Sequence, residues 1–98
     1  MKTYTICGSM RYEKEMRKIA YLLEVEKGYN ILQCTYSDID MKTDFEAVRK
    51  LEEAHLKKIF LSDGIYVVNI DGYIGESVQK EIEFAKIHGK YILYHCNE

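Results

Sequence analysis

The sequence predicts an α/β protein in which a four-stranded parallel sheet is covered by helices on both faces. Three observations carry that expectation. Strand-like and helix-like patterns alternate along the chain in the order βαβαβαβ. The run IYVVNI, residues 65–70, is almost continuously apolar, which suits a central strand with neither face left to water. Glycine and small polar residues gather where strands give way to helices.

Each element has its own signals. Thr3 to Cys7 is β-branched, aromatic and apolar, and Gly8-Ser9 ends it as a tight turn. Tyr12, Met16, Ile19, Ala20 and Leu23 then recur at helical spacing, with Ser9 as the N-cap and Lys27-Gly28 as the close. Glu13 and Arg17 form an i,i+4 pair in the favourable order. Tyr29 to Tyr36 (YNILQCTY) is the second strand, and Ser37 to Thr43 is expected to be a mobile polar loop. A second helix runs from Asp44 to about Leu61, with Phe45, Val48, Leu51, Leu56, Ile59 and Phe60 as its apolar positions. Glu46–Lys50 and Glu53–Lys57 are its expected outer pairs, and Ser62-Asp63-Gly64 ends it. The apolar run 65–70 follows, then the loop Asp71 to Gly75. A third helix opens at Glu76 or Ser77, buries Val78, Ile82 and Ala85, pairs Glu76 with Lys80, and ends at His88-Gly89. Tyr91 to His95 is the last strand. Right-handed crossovers then give the strand order 2-1-3-4, a flavodoxin/Rossmann-like three-layer sandwich with its switch point between strands one and three.

Composition bounds the function. Ninety-eight residues, 47% apolar and 31% charged, make one ordinary globular domain spanning residues 1–98. A net charge of −2 without a basic stripe argues against a nucleic-acid polymer as partner. No apolar run approaches the roughly 18 residues of a membrane span. Three scattered cysteines without a CxxC pair suit a reducing compartment, so a cytoplasmic location is expected. A domain this small has little stability to spare, and a homodimer or higher homo-oligomer is the expected assembly.

The switch point is where a ligand belongs. It brings together Gly8, Ser9, Met10 and Arg11 after the first strand, and Asp71, Gly75, Glu76 and Ser77 after the third. Both loops precede helices, so both offer unpaired N–H groups and a positive dipole end to an anion. Arg11 adds a fork-shaped donor for a phosphate. Neither a P-loop nor a GxGxxG pattern is present, so a smaller phosphate or sugar fits better than a triphosphate or dinucleotide. Each of these residues also has a plain structural reading: Gly8-Ser9 as turn and cap, Asp71 as an Asx turn, Glu76 and Ser77 as a helix start.

Glu81 lies at the border of the apolar stripe formed by Val78, Ile82 and Ala85. Such a carboxylate is either an ion-pair partner or a working group able to attack an anomeric carbon, and position alone leaves both readings open. His55 shares the inward stripe of the second helix with Val48, Leu51 and Ile59; it reads as a hydrogen-bonded core or cleft residue rather than a metal ligand. Cys7, in a buried strand, reads as an inert thiol. Tyr12 and Tyr73 are candidates to line a base pocket. His95-Cys96 lacks further ligands for zinc, and no metal or cofactor is expected.

The segments CGSMR, HLKKI…SD and VVNIDGYIGES…EIEFAKIHGK together resemble the nucleoside 2-deoxyribosyltransferase-like family, which includes the deoxynucleoside 5′-monophosphate N-glycosidases. The resemblance spans nearly the whole chain and is most specific at GES…EIEFAK..GK and at CGS. It implies a flavodoxin-like fold, a nucleoside or nucleotide substrate and no cofactor. It places the family's nucleophilic glutamate, nine residues before the lysine that opens the last strand, on Glu81. In the family this glutamate displaces the base and forms a glycosyl-enzyme, which water or a second base resolves. The family's sugar- or phosphate-contacting Gly-Ser falls on Gly8 and Ser9, and its basic residue on Arg11. Three departures stand out. His55 occupies the place of a helix-two aspartate, and is cast as the proton donor to the base. Gly75 replaces a small polar residue or aspartate, with Ser77 nearby as a substitute. The family's fifth strand and C-terminal segment, a region that completes the site and often comes from a neighbouring subunit, are not expected in this sequence. The implied activity is N-glycosidic cleavage; the alternative is a module of the same fold that binds or senses a nucleotide-like ligand without turnover.

Overall fold

The computed structural model describes residues 1–36 and 44–96; the loop expected at Ser37–Thr43 lies outside the described residues. Four strands, β1 (Thr3–Gly8), β2 (Asn30–Leu32), β3 (Gly64–Val68) and β4 (Tyr91–Tyr94), form one sheet in the order β2-β1-β3-β4. All three pairings are parallel, with Thr5 opposite Leu32 and Ile65, and Ile65 opposite Ile92. The expected strand order is the observed one.

Helices α1 (Glu13–Lys27), α2 (Phe45–Leu61) and α3 (Glu76–Ile87) connect the strands. The side-chain alternation of β1 separates two cores. Tyr4 and Ile6 pack on one face with Met16, Ile19, Ala20 and Leu23 of α1 and Ile31 of β2. Cys7 packs on the other with Ile59 of α2, Val78, Ile82 and Ala85 of α3, and Ile65 and Val67 of β3. The first helix's expected stripe is therefore its buried face. Met16, in its first turn, is 0% exposed, and truncating such a side chain costs about 2–5 kcal/mol.

Gly28 takes the left-handed conformation (φ 71°) that closes α1. Gly64 is needed for a different reason. It opens β3 rather than ending the preceding turn, and a Cβ there would lie 2.5 Å from the Tyr91 carbonyl oxygen. Asp63 ties the same corner, its carboxylate accepting from the Thr3 N–H at 2.8 Å. At the opposite end, Asn69 holds the chain beyond β4. Its Nδ2 donates to the Cys96 carbonyl and its Oδ1 accepts from the Cys96 N–H.

Three local expectations are corrected. The second strand ends at Leu32 rather than Tyr36, because the edge strand pairs with β1 over three residues only. Beyond it the Gln33 carbonyl is taken by Lys58 Nζ at 2.8 Å. The apolar stripe of α2 buries only Ile59, while Phe45 is 83% exposed. Its outer charges are organised by Arg49, which holds both Glu46 and Glu53. None of the described helices is long and apolar enough to cross a membrane.

Candidate functional site

Both switch-point loops are short and tied together. After β1, Ser9 is extended and its Oγ accepts from the Arg11 N–H at 3.4 Å, capping a 3-10 turn (Met10–Tyr12) that feeds α1. After β3, a second 3-10 turn (Ile70–Gly72) carries the chain towards α3, with Asp71 in the left-handed region at φ 55°. The Tyr12 hydroxyl donates to the Ile70 carbonyl at 3.3 Å and so bridges the two loops. Tyr73 meets the Tyr12 ring edge-on, and the Arg11 guanidinium lies 4.1 Å from the Tyr73 ring centre.

Helix α3 starts at Gly75, which has no side chain to cap it. The first N–H groups of the helix therefore face outward without an intrahelical acceptor. Gly75, Glu76 and Ser77 line a cavity of about 390 Å³, a volume within the range of small-molecule sites. Ile6, Gly8, Ser9 and Met10 from β1 and the loop after it, and Tyr73, also line it. Val48 and Leu51 of α2 line it too. That explains their exposure: these apolar side chains face a cleft, not the core.

Glu81 and His55 meet inside this cavity. His55 Nε2 lies 3.3 Å from Glu81 Oε1, with the two side chains only 11% and 19% exposed. The same Nε2 lies 3.5 Å from the Cys7 sulfur. His55 Nδ1 is buried and has no hydrogen-bond partner among the described residues. Burial pushes the Cys7 thiol well above its ordinary value, reinforced by the charge and hydrogen bond of Glu81 and then by Cys34. The thiol is thus protonated at neutral pH and a poor nucleophile, in line with the inert reading. Burial likewise raises Cys34, which shares the cavity wall.

Eight of the ten expected site residues line this one cavity: Gly8, Ser9, Met10, His55, Gly75, Glu76, Ser77 and Glu81. The other two do not. Arg11 is exposed and reaches the site only through Tyr73, and Asp71 is exposed on its turn, away from the wall. Of the two candidate tyrosines, Tyr73 lines the cavity, whereas Tyr12 braces the loops. Sequence reasoning missed Cys34, Glu52 and Lys58 as wall residues. A signal existed for Glu52: it shares the helical face of Val48, Leu51 and His55. It also missed that Cys7, His55 and Glu81 converge, their ligand-type atoms all lying within 4.8 Å of one another. They come from three elements far apart in sequence.

No protein-family model matches this chain, and no curated protein matches it in sequence. Among solved structures it is similar to a CMP N-glycosidase of Clostridium botulinum, BcmB. The TM-score is 0.59 at 19% identity, over 95% of this chain and 70% of that one. The likeness establishes a shared α/β fold, which in this chain has the sheet order 2-1-3-4.

Proposed function

We propose that this protein cleaves the N-glycosidic bond of a nucleoside or nucleotide, with Glu81 as the nucleophile. The observation that carries the reading is a carboxylate in the wall of a ligand-sized cavity, fixed by a single imidazole nitrogen. The geometry allows a simple division of labour. Val48, Leu51 and Met10 offer apolar surface to a base, while Ser9, Ser77 and the free N–H groups of α3 offer hydrogen bonds to a sugar. Glu81 attacks the anomeric carbon as the bond to the base breaks, and the base takes its proton from solvent; water then hydrolyses the glycosyl-enzyme, which restores the Glu81 carboxylate and returns a proton to solvent.

His55 is assigned the orientation of Glu81. Its Nε2 is engaged by the carboxylate and its Nδ1 is buried, so delivering a proton to a leaving base requires the ring to release Glu81 first. The wall carries Glu52, Glu76 and Glu81 against Lys58 and His55, which suits an uncharged sugar and base. A 5′-phosphate is better met at the rim, where Arg11 lies over Tyr73. The similarity in fold to a CMP N-glycosidase supports the substrate class.

A second reading, ligand binding without turnover, is favoured by the same engaged histidine, which leaves no evident acid for the base. One experiment separates the two. The protein is incubated with deoxynucleosides, ribonucleosides and their 5′-monophosphates, and free base is followed by chromatography. Release that disappears in Glu81→Gln supports cleavage. Thermal stabilisation by one of these ligands without any release supports binding alone, and neither effect across the panel overturns both.

A further inference from the structure

We propose that Cys7, His55 and Glu81 form a three-ligand site for a borderline-soft divalent cation of the zinc type, opening onto the cavity through its fourth position. The Cys7 sulfur lies 3.5 Å from His55 Nε2, and Nε2 lies 3.3 Å from Glu81 Oε1. Zinc bonds of about 2.3 Å to sulfur and about 2.0–2.1 Å to nitrogen and oxygen, held tetrahedrally, place such pairs of ligand atoms about 3.6 Å and 3.3 Å apart. The third edge, sulfur to carboxylate, is within 4.8 Å and closes by a small carboxylate movement.

The chemistry of the set agrees. One Nε2 faces both a thiol and a carboxylate, and a single N–H cannot point along both directions. A cation between them engages all three atoms at once. Ligation through Nε2 puts the imidazole proton on Nδ1, which is buried and has no partner among the described residues. On binding, a sulfur–metal bond forms and the Cys7 proton leaves to solvent. A thiolate and a carboxylate then balance the two charges of the ion. Sulfur and imidazole select zinc-type ions over magnesium or calcium, which prefer oxygen. Three protein ligands with an open fourth position resemble exchangeable rather than closed structural sites. Cys7 is 1% exposed on β1, so the site has one rigid wall. Metal and glycosyl chemistry would compete for Glu81, but the metal site does not depend on the reading proposed above.

The test is a cobalt(II) titration of the full chain after treatment with a chelator, followed by absorbance, and needs no turnover. The expected result is a thiolate-to-cobalt charge-transfer band with tetrahedral visible bands, saturating at one equivalent and bleached by zinc but not by magnesium. Cys7→Ser loses the charge-transfer band, while Cys34→Ser keeps it. Should Cys7→Ser not fold by circular dichroism, His55→Gln and Glu81→Gln serve instead. Each should weaken cobalt binding by more than the roughly tenfold that loss of a supporting residue costs. No bands in folded wild type, an unchanged spectrum in Cys7→Ser, loss of the band in Cys34→Ser, or unweakened binding in both fallback variants overturns the proposal.

Discussion

Replacing Glu81 with glutamine separates a working carboxylate from a structural one. The His55–Glu81 contact is enclosed, at 11% and 19% exposure. If it were an ion pair holding α2 to α3, removing its negative charge would strand a buried cation, at a cost of about 3–5 kcal/mol. If His55 is neutral and only donates to the carboxylate, the glutamine carbonyl accepts the same bond. The loss is then about 0.5–1.5 kcal/mol. In a domain of this size each kcal/mol moves the midpoint by about 4–8 °C. The account predicts a drop below about 10 °C in a thermal melt, with a urea melt giving the matching free energy. Base release should fall by about three orders of magnitude or more. A destabilisation of about 3 kcal/mol or more, or retained base release, would refute the reasoning and return Glu81 to an ordinary ion pair.

Further predictions test the frame around it. Gly64→Ala places a Cβ 2.5 Å from the Tyr91 carbonyl and 2.8 Å from the Tyr91 Cβ. The β3–β4 edge must part, costing about 1–3 kcal/mol in a denaturant melt. Arg11→Ala raises KM for a 5′-monophosphate about tenfold, the loss of one charge-assisted contact near 1.5 kcal/mol. It leaves the uncharged nucleoside unaffected; an equal change for both removes Arg11 from phosphate binding. The raised Cys7 thiol predicts an alkaline loss of stability in metal-free protein. Above the ordinary thiol value of 9.0 the unfolded chain gives up a proton that the folded chain keeps. Stability is therefore full below that value and declines above it, by up to about 1.4 kcal/mol per pH unit. Cys7→Ser should flatten the decline between about pH 9 and pH 10, leaving the share due to Cys34.

The sheet was legible because its cause is local. Alternating strand and helix signals fix a parallel arrangement, and the apolar run 65–70 identifies the strand with two covered faces, although β3 itself stops at Val68 and Ile70 enters the following 3-10 turn. The loops at the switch point follow from chain order alone, so Gly8, Ser9, Gly75 and Ser77 were readable before any coordinates. The failures share one origin. Periodicity marks which helix face is apolar but not what that face meets. On α2 the face meets a cleft at Val48 and Leu51; Ile59 is its buried residue and Leu56 packs part-buried against the same core. Arg11 was placed by counting from Gly8, whereas its stacking on Tyr73 depends on a residue about sixty positions away. The meeting of Cys7, His55 and Glu81 is a property of three packed elements, and no spacing within any one of them announces it.

The most direct test of Glu81 as nucleophile is to trap the glycosyl-enzyme. A 2′-fluoro-2′-deoxynucleoside slows both formation and breakdown of the intermediate, because fluorine disfavours the oxocarbenium-like transition states. The account predicts that intact-mass spectrometry after incubation shows a gain of one fluorinated sugar. Peptide mapping should place it on Glu81, and the Glu81→Gln variant should show no gain. Base release from natural nucleosides with no adduct at Glu81, or with the sugar attached elsewhere, would mean that Glu81 is not the nucleophile.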